Sequence, residues 1–185
     1  MTPITFSRNE CAAYVAAIVR SFDRQHTTYL GRTALQKLVY FSKSLGVPIP
    51  CDFHIYTYGP YSDTITFTVE SLLADDVVVD TSPGKKYSDY RLGEQAEEFF
   101  RDADETVRPY EVKIDAVVRA LGAFKPEDLE LIATLHFLCQ RQRTITGEEP
   151  AREEIIKEFL KIKGEKFSRE QINAWYDALS SVKLI

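Results

Sequence analysis

The sequence predicts a mostly helical α+β protein. Three observations carry this expectation: apolar residues recur at helical spacing in most segments, a Val-rich and a Tyr-rich segment flank a turn, and Gly or Pro marks the ends of these stretches. With 185 residues, of which 44% are hydrophobic and 28% charged, the chain is long enough for one large or two small domains.

Two helices are predicted first: one covers residues 9–22, and the other begins after Gly31-Arg32-Thr33 and ends at Gly46. Asn9 is a suitable cap for the first helix, and Gly46 followed by Pro48 ends the second. The second helix is expected to turn Leu35, Leu38, Val39, Ser42 and Leu45 inward. Its residues outside this apolar stripe are Lys37, Tyr40 and Lys43.

The segment Tyr58-Gly59-Pro60-Tyr61-Ser62 predicts a turn that starts a third helix. Gly59 is free to adopt a positive φ, Pro60 disfavours the helical region for Gly59, and Ser62 is suited to cap the helix. The expected buried residues of this helix are Ile65, Val69, Leu72 and Leu73, and the expected outward residues are Thr64, Phe67, Thr68 and Ser71.

A strand, a turn and a second strand are predicted next. Val77-Val78-Val79 is the first strand, Pro83-Gly84 lies in the turn, and the Tyr-rich stretch up to Leu92 is the second strand. Three helices followed by a two-stranded ribbon is the element order of a winged helix. We therefore predict a winged-helix domain at residues 1–105, closed by an acidic helix at 94–105.

Residues 106–185 are predicted to form a helical C-terminal lobe. Pro109 suits the first turn of its first helix. Further helices are expected at 126–141, 150–163 and 168–181, and Ser168 with Gln171 predicts a capping box for the last one. The final two helices and the turn between them indicate helix-turn-helix-like packing.

Composition narrows the class of protein. The net charge of -5 gives no overall attraction to nucleic acid or anionic lipid. Cys11, Cys51 and Cys139 are far apart and odd in number, which predicts reduced core thiols. No apolar run is long enough for a membrane span or a signal peptide, so we expect a cytoplasmic protein without membrane contact.

No residue pattern predicts catalysis. Cys51-x-x-His54 is a single pair at metal-ligand spacing, while His26 and His136 lie in unrelated segments. His136 follows an apolar run and is expected to be a hydrogen-bonded core or boundary residue. Phosphate-loop, nucleophile-elbow and dinucleotide-binding motifs are absent from the sequence. We therefore expect no metal and no cofactor, and an enzyme is the least favoured class.

Two function classes remain, a protein-interaction or regulatory module and a winged-helix DNA-binding regulator. The third helix carries only acidic charges, which disfavours DNA. The candidate nucleic-acid contacts are Lys85, Lys86, Lys161, Lys163, Lys166 and Arg169. Aromatic residues beside small polar ones favour a protein partner, and the candidate contacts are Thr64, Phe67, Thr68, Ser71, Tyr58 and Tyr61. The oligomeric state stays open, with a homodimer as one alternative.

The motifs also resemble a known family. ALQKLVYFSKSLG, FHIYTYGPYSDTI, VVVD and YRL, with LELIATLHFL and EEIIKEFLKIKGEKFSREQI further on, resemble the YwgA-like family of uncharacterised prokaryotic proteins. More distantly, the helix and the aromatic-x-Tyr-Gly-Pro turn are similar to the SocA-type antitoxin (Panacea) domain. The resemblance implies a winged-helix-type fold and, from the antitoxin relatives, neutralisation of a toxin by direct contact, sometimes with its delivery to a protease.

Overall fold

The structure is a computed structural model that describes residues 10–25, 28–82, 84 and 87–185. The described residues are mostly helical, as the sequence predicts, and they also form two small antiparallel sheets, of which the sequence analysis predicted the one after the third helix. Asn9, His26, Pro83, Lys85 and Lys86, on which some of the predictions rest, lie outside the described residues. Packing groups the chain into two compact units: unit 1 is Met1–His54 with Tyr61–Phe124, and unit 2 is Ile55–Pro60 with Lys125–Ile185. The predicted domain boundary at 105/106 falls inside a helix of unit 1.

Unit 1 consists of five α-helices, a 3-10 turn and a β-ribbon among its described residues. The bounds are α1 Glu10–Gln25, α2 Arg32–Ser44, α3 Asp63–Ala74, β3 Val78–Asp80, β4 Tyr90–Leu92, α4 Ala96–Val107, the 3-10 turn Arg108–Tyr110, and α5 Glu111–Leu121. Helix α1 contacts each of the other four helices and β4. Most of its residues from Cys11 to Phe22 are buried, so α1 is the centre of this core.

Helix α2 differs from its prediction because it is buried on every side. Every residue from Ala34 to Ser42 is buried, including Lys37 and Tyr40, which are 2% and 5% exposed. The prediction that Lys37 and Tyr40 lie outside the apolar stripe is therefore wrong. Leu45, predicted to point inward, is 44% exposed, because α2 ends at Ser44 and Leu45 is its C-cap.

A short hairpin connects α2 to α3. Its strands are β1 His54–Tyr56 and β2 Gly59–Tyr61, and Gly59 has a φ of 85°. The predicted positive φ at Gly59 is confirmed. Ser62 occupies the N-cap position of α3, but its side chain makes no cap hydrogen bond. The prediction that the Ser62 hydroxyl caps the helix is therefore wrong.

The ribbon follows α3 as predicted. Strands β3 and β4 are antiparallel, with Val78 opposite Leu92 and Asp80 opposite Tyr90. Beyond β4 the chain passes close to the end of α3. A side chain at Gly93 would place its Cβ 2.1 Å from the Asp76 carbonyl oxygen, so this crossing requires glycine.

Unit 2 contains helices α6 Pro126–Thr146, α7 Arg152–Lys163 and α8 Arg169–Ser181. Helix α6 packs against both α7 and α8. The Ser168 hydroxyl accepts a bond from the Gln171 backbone, and the Gln171 side chain accepts one from the Ser168 backbone. The predicted capping box is thus confirmed. Gly147 and Gly164, both with positive φ, follow the ends of α6 and α7.

His136 of α6 is a core residue, as predicted. It is 2% exposed, and one of its ring nitrogens lies 3.5 Å from the side-chain nitrogen of Gln140. Burial lowers the pKa of His136 to about 4, and the positive charge of Arg143 acts in the same direction. The folded protein therefore holds this imidazole neutral.

Replacing Gly59 with Val tests the turn. Because Gly59 has a positive φ that a β-branched residue rarely adopts, we expect Gly59→Val to lower the free energy of unfolding by ~1–3 kcal/mol. Gly84→Val is the matched control, since Gly84 has no atom within 4 Å of an added Cβ and no strained φ. Urea unfolding measures both variants. Equal midpoints for the two would contradict the assignment of strain to Gly59.

His136 predicts a specific acid sensitivity. The unfolded chain binds a proton at His136 below about pH 6.5, whereas the folded chain does so only near its pKa of about 4. The free energy of unfolding must therefore fall as the pH falls between these two values. The loss reaches about 3 kcal/mol at pH 4. We expect His136→Gln to remove this share of the pH dependence in urea unfolding from pH 7 to 4. An unchanged slope in the variant would refute this account.

Candidate functional site

The outward face of α3 is the strongest candidate for a binding surface in unit 1. Its residues Asp63, Thr64, Phe67, Glu70 and Ser71 are exposed, and they recur at the spacing of one helix face. Phe67 is 65% exposed. On the opposite side of α3, Ile65, Val69 and Leu72 are buried where the helix packs on α1 and β3, as predicted, whereas Leu73, also predicted to be buried, is half-buried.

Thr68 does not belong to this surface. It was expected to point outward with Phe67, but it is 2% exposed. Its position beside Val69 and three residues after Ile65 places it on the edge of the buried stripe, which extends further around α3 than the apolar residues indicate.

Tyr61 is half-buried at the start of α3. Its hydroxyl lies 2.7 Å from the Thr66 hydroxyl, and its ring makes a T-shaped contact with His54 at a centroid distance of 5.8 Å. These contacts fix the Tyr61 ring beside the first turn of α3. Only part of Tyr61 is therefore available to a partner.

Gln36 is a site residue that the sequence analysis missed. It is buried in α2, where its side-chain nitrogen donates to the Ser62 carbonyl at 3.0 Å and to the Thr66 hydroxyl at 3.2 Å. Its side-chain oxygen accepts a bond from the Ser62 backbone N–H at 3.0 Å. Gln36 thus fixes the point at which α3 begins. The sequence signal was an amide among the apolar residues of ALQKLVYF.

The α3 segment is uniformly acidic. Asp63, Glu70 and Asp75 are exposed, Asp76 is half-buried, and residues 63–76 include no Lys or Arg. Asp63 lies in the first turn, where the helix dipole favours a negative charge. Glu70 and Asp75 have no such structural role, and they give the outward face its negative potential.

Unit 2 presents Tyr58 in a different setting. Tyr58 lies at the tip of the β1–β2 hairpin and is 54% exposed. The ammonium of Lys166 lies 5.1 Å from the centroid of the Tyr58 ring. The adjacent Thr57 carbonyl accepts a hydrogen bond of 2.8 Å from Lys163. Two lysines therefore hold this hairpin tip within unit 2.

A buried carboxylate holds the same two lysines. Glu130 of α6 is 2% exposed, and its two oxygens lie 2.9 Å from the Lys163 ammonium and 2.7 Å from the Lys166 ammonium. Burial lowers the pKa of Lys163, and the Glu130 carboxylate opposes that shift. We call Thr57, Tyr58, Glu130, Lys163 and Lys166 the hairpin clamp. Sequence analysis missed Glu130, although a carboxylate inside the apolar run LELIATL was a signal of a buried charge.

The hairpin clamp includes two of the four basic residues around α7 that were predicted as nucleic-acid contacts, Lys163 and Lys166. The Lys163 side chain is 3% exposed, so the prediction that it faces outward to contact nucleic acid is wrong. Lys166 is bound to Glu130, and Arg169 lies 2.5 Å from Glu153. Lys161 is exposed. The structure therefore does not bring these four residues together as an open cationic surface.

Three further features bear on site chemistry: the cysteines, the groups able to hold a metal ion and the apolar length of the helices. Cys11, Cys51 and Cys139 are buried free thiols, in agreement with the prediction. In the part of the chain that the structure describes, no group of three His, Cys, Asp or Glu side chains is placed to hold a metal ion. None of the helices described is both long enough and apolar enough to span a membrane.

Removing Lys163 tests the hairpin clamp. Lys163→Met leaves the Thr57 carbonyl without its donor and Glu130 with only the half-exposed Lys166, so we expect a loss of about 3 kcal/mol in unfolding free energy. Lys161→Met, an exposed position on the same helix, is the control and should change stability by less than about 0.5 kcal/mol. Urea unfolding compares the two, and equal stabilities would contradict a stabilising role for Lys163.

Part of the chain is similar to a known protein. No model of a known protein family matches the chain. The chain is similar to YwgA, an uncharacterized protein of Bacillus subtilis (strain 168), with 30% identity over 109 residues. The match covers 57% of this chain and 63% of YwgA, so it spans less than two thirds of that relative. This similarity supports the resemblance to YwgA-like proteins, while the link to the SocA-type domain stays a prediction.

Proposed function

We propose that the chain is a non-enzymatic protein-interaction module and that the outward face of α3 is its contact surface. The observation that carries this proposal is Phe67, a residue that is 65% exposed at the centre of a helix face with Thr64 and Ser71. Exposed aromatic rings bordered by small polar residues supply large contact areas at low entropic cost.

The architecture of unit 1 fits this role. Helices α1, α2 and α3 followed by the ribbon β3–β4 support a winged-helix-type arrangement, in which the third helix commonly makes the principal contact with a partner. The resemblance to the SocA-type domain makes a toxin one class of protein partner. The rest of the proposal does not depend on that resemblance.

DNA is the less favoured partner. A third helix without Lys or Arg would meet the phosphates with repulsion and offers no guanidinium for base contacts. The basic residues around α7 are partly engaged by Glu130 and Glu153 within unit 2. Both observations favour a protein partner.

The test compares two charge-introducing substitutions in unit 1. Phe67→Glu disrupts the proposed surface, and Val112→Glu on α5, which is 82% exposed, is the matched control. We expect immobilised wild-type protein and Val112→Glu to capture the same protein from an extract of the source organism and Phe67→Glu to lose it. Thermal unfolding should be unchanged for both variants.

The same proteins discriminate the DNA alternative. Fluorescence anisotropy with a pool of DNA duplexes at two salt concentrations should give negligible binding at physiological salt. Salt-sensitive duplex binding that is lost when Lys161, Lys166 and Arg169 become Ala would overturn the proposal. Capture that survives Phe67→Glu would remove α3 as the contact surface.

A further inference from the structure

We infer that the outward face of α3 binds an arginine-bearing segment of its partner protein, an inference that rests on the proposed interaction function. The supporting observation is a combination of an aromatic ring and a nearby carboxylate, which arginine residues of this protein contact in three places and which α3 presents to solvent without an arginine.

The first internal case joins α1 and α4. The Arg20 guanidinium lies 3.7 Å from the centroid of the Phe100 ring and pairs with Asp104 at 2.9 Å. Phe100 and Asp104 lie four residues apart on α4, so they are neighbours on one helix face. One arginine thus contacts a ring face and a carboxylate of the same helix at once.

In two further cases an arginine contacts an aromatic ring together with the carboxylate that follows the ring directly in sequence. Arg91 lies over the Phe22 ring at 5.8 Å and pairs with Asp23 at 3.0 Å, both residues belonging to α1. In unit 2, Arg152 lies over the Tyr176 ring at 5.1 Å and pairs with Asp177 at 2.6 Å, both on α8. A planar guanidinium suits this double contact because it stacks on the ring and donates in its own plane.

Helix α3 carries the same pair of groups on its outward face. Phe67 has Asp63 four residues before it and Glu70 three residues after it, so a carboxylate lies on each side of the ring along the helix. In the described part of the chain, no guanidinium lies over the Phe67 ring. The ring and both carboxylates are exposed.

Charge complementarity selects the occupant. Residues 63–76 contain no basic residue, so a cationic segment meets attraction along the whole face. Arginine is favoured over lysine because the ring and the flanking carboxylates demand stacking and directed hydrogen bonds together. An anionic or purely aliphatic segment would leave the carboxylates unpaired.

The test uses two fluorescein-labelled helical peptides. The first contains Arg and Leu, and the second has the same sequence except that citrulline replaces every Arg. Citrulline keeps the planar shape and removes the charge. We expect anisotropy to show binding of the Arg peptide by the full chain, weaker binding at high salt, and at least tenfold weaker binding of the citrulline peptide, on the order expected for charged anchors.

Two pairs of substitutions locate the binding. The double variant Asp63→Asn with Glu70→Gln should bind the Arg peptide roughly fivefold more weakly, which is the effect expected from the loss of two exposed ion pairs. Glu97→Gln with Glu98→Gln removes the same charge from the exposed first turn of α4 and should leave binding unchanged. Phe67→Ala should weaken binding by about tenfold or more. Glu70→Gln alone keeps the first turn of α3 intact and should reproduce part of the loss.

The outcomes separate this inference from the proposed function. Equal binding of the Arg and citrulline peptides, equal effects of the α3 and α4 substitutions, or no measurable binding of the Arg peptide would each overturn the arginine inference. If Phe67→Glu still abolishes capture from extract in that case, the interaction function stands and the partner has different chemistry. If Phe67→Glu does not reduce capture from extract and Phe67→Ala does not reduce peptide binding, both proposals fail.

Discussion

The pairing of the Gln36 amide with the backbone of Ser62 is the constraint on which the candidate surface depends. Ser62 is fully buried, so its N–H and C=O need partners, and Gln36 satisfies both at 3.0 Å. The chain is thereby held extended up to Ser62 and becomes helical at Asp63. The buried stripe through Ile65 and Val69 then sets the rotation of α3 about its axis. Together these two constraints direct Phe67 to solvent.

In unit 2 a buried carboxylate, that of Glu130, has the positioning role that the Gln36 amide has in unit 1. The Glu130 carboxylate is costly to bury alone, and Lys163 and Lys166 offset that cost only because both lie within 3 Å of it. Lys163 then donates to the Thr57 carbonyl, so the position of the hairpin tip depends on a charge pair inside the unit. The consequence is a hairpin whose exposed Tyr58 is presented from a fixed backbone. In both units a buried polar side chain determines where an exposed aromatic ring is placed.

Local sequence signals predicted much of this fold. The incorrect predictions concern residues whose burial depends on tertiary contacts. The capping box at Ser168 was predictable because both of its partners lie within four residues. Periodicity predicted the exposure of Phe67 but not the burial of Thr68, because a stripe of apolar residues does not show how far a neighbouring helix covers the flanks. Lys37 and Lys163 were misplaced for a related reason: a long charged side chain looks exposed in sequence, and its burial depends on groups distant along the chain.

Exposure of one aromatic ring is ordinary on protein surfaces, and Phe67 indicates a contact surface because small polar and acidic residues surround it on one helix face. The surroundings of the ring are more informative. On α4, the Arg20 guanidinium both pairs with Asp104 and covers the Phe100 ring. On α3 the acids and the ring remain in solvent, with a helix backbone that is already ordered. A partner that brings the guanidinium therefore gains the contact without ordering this side of the interface, and that pre-organisation is what a rigid helix contributes to recognition.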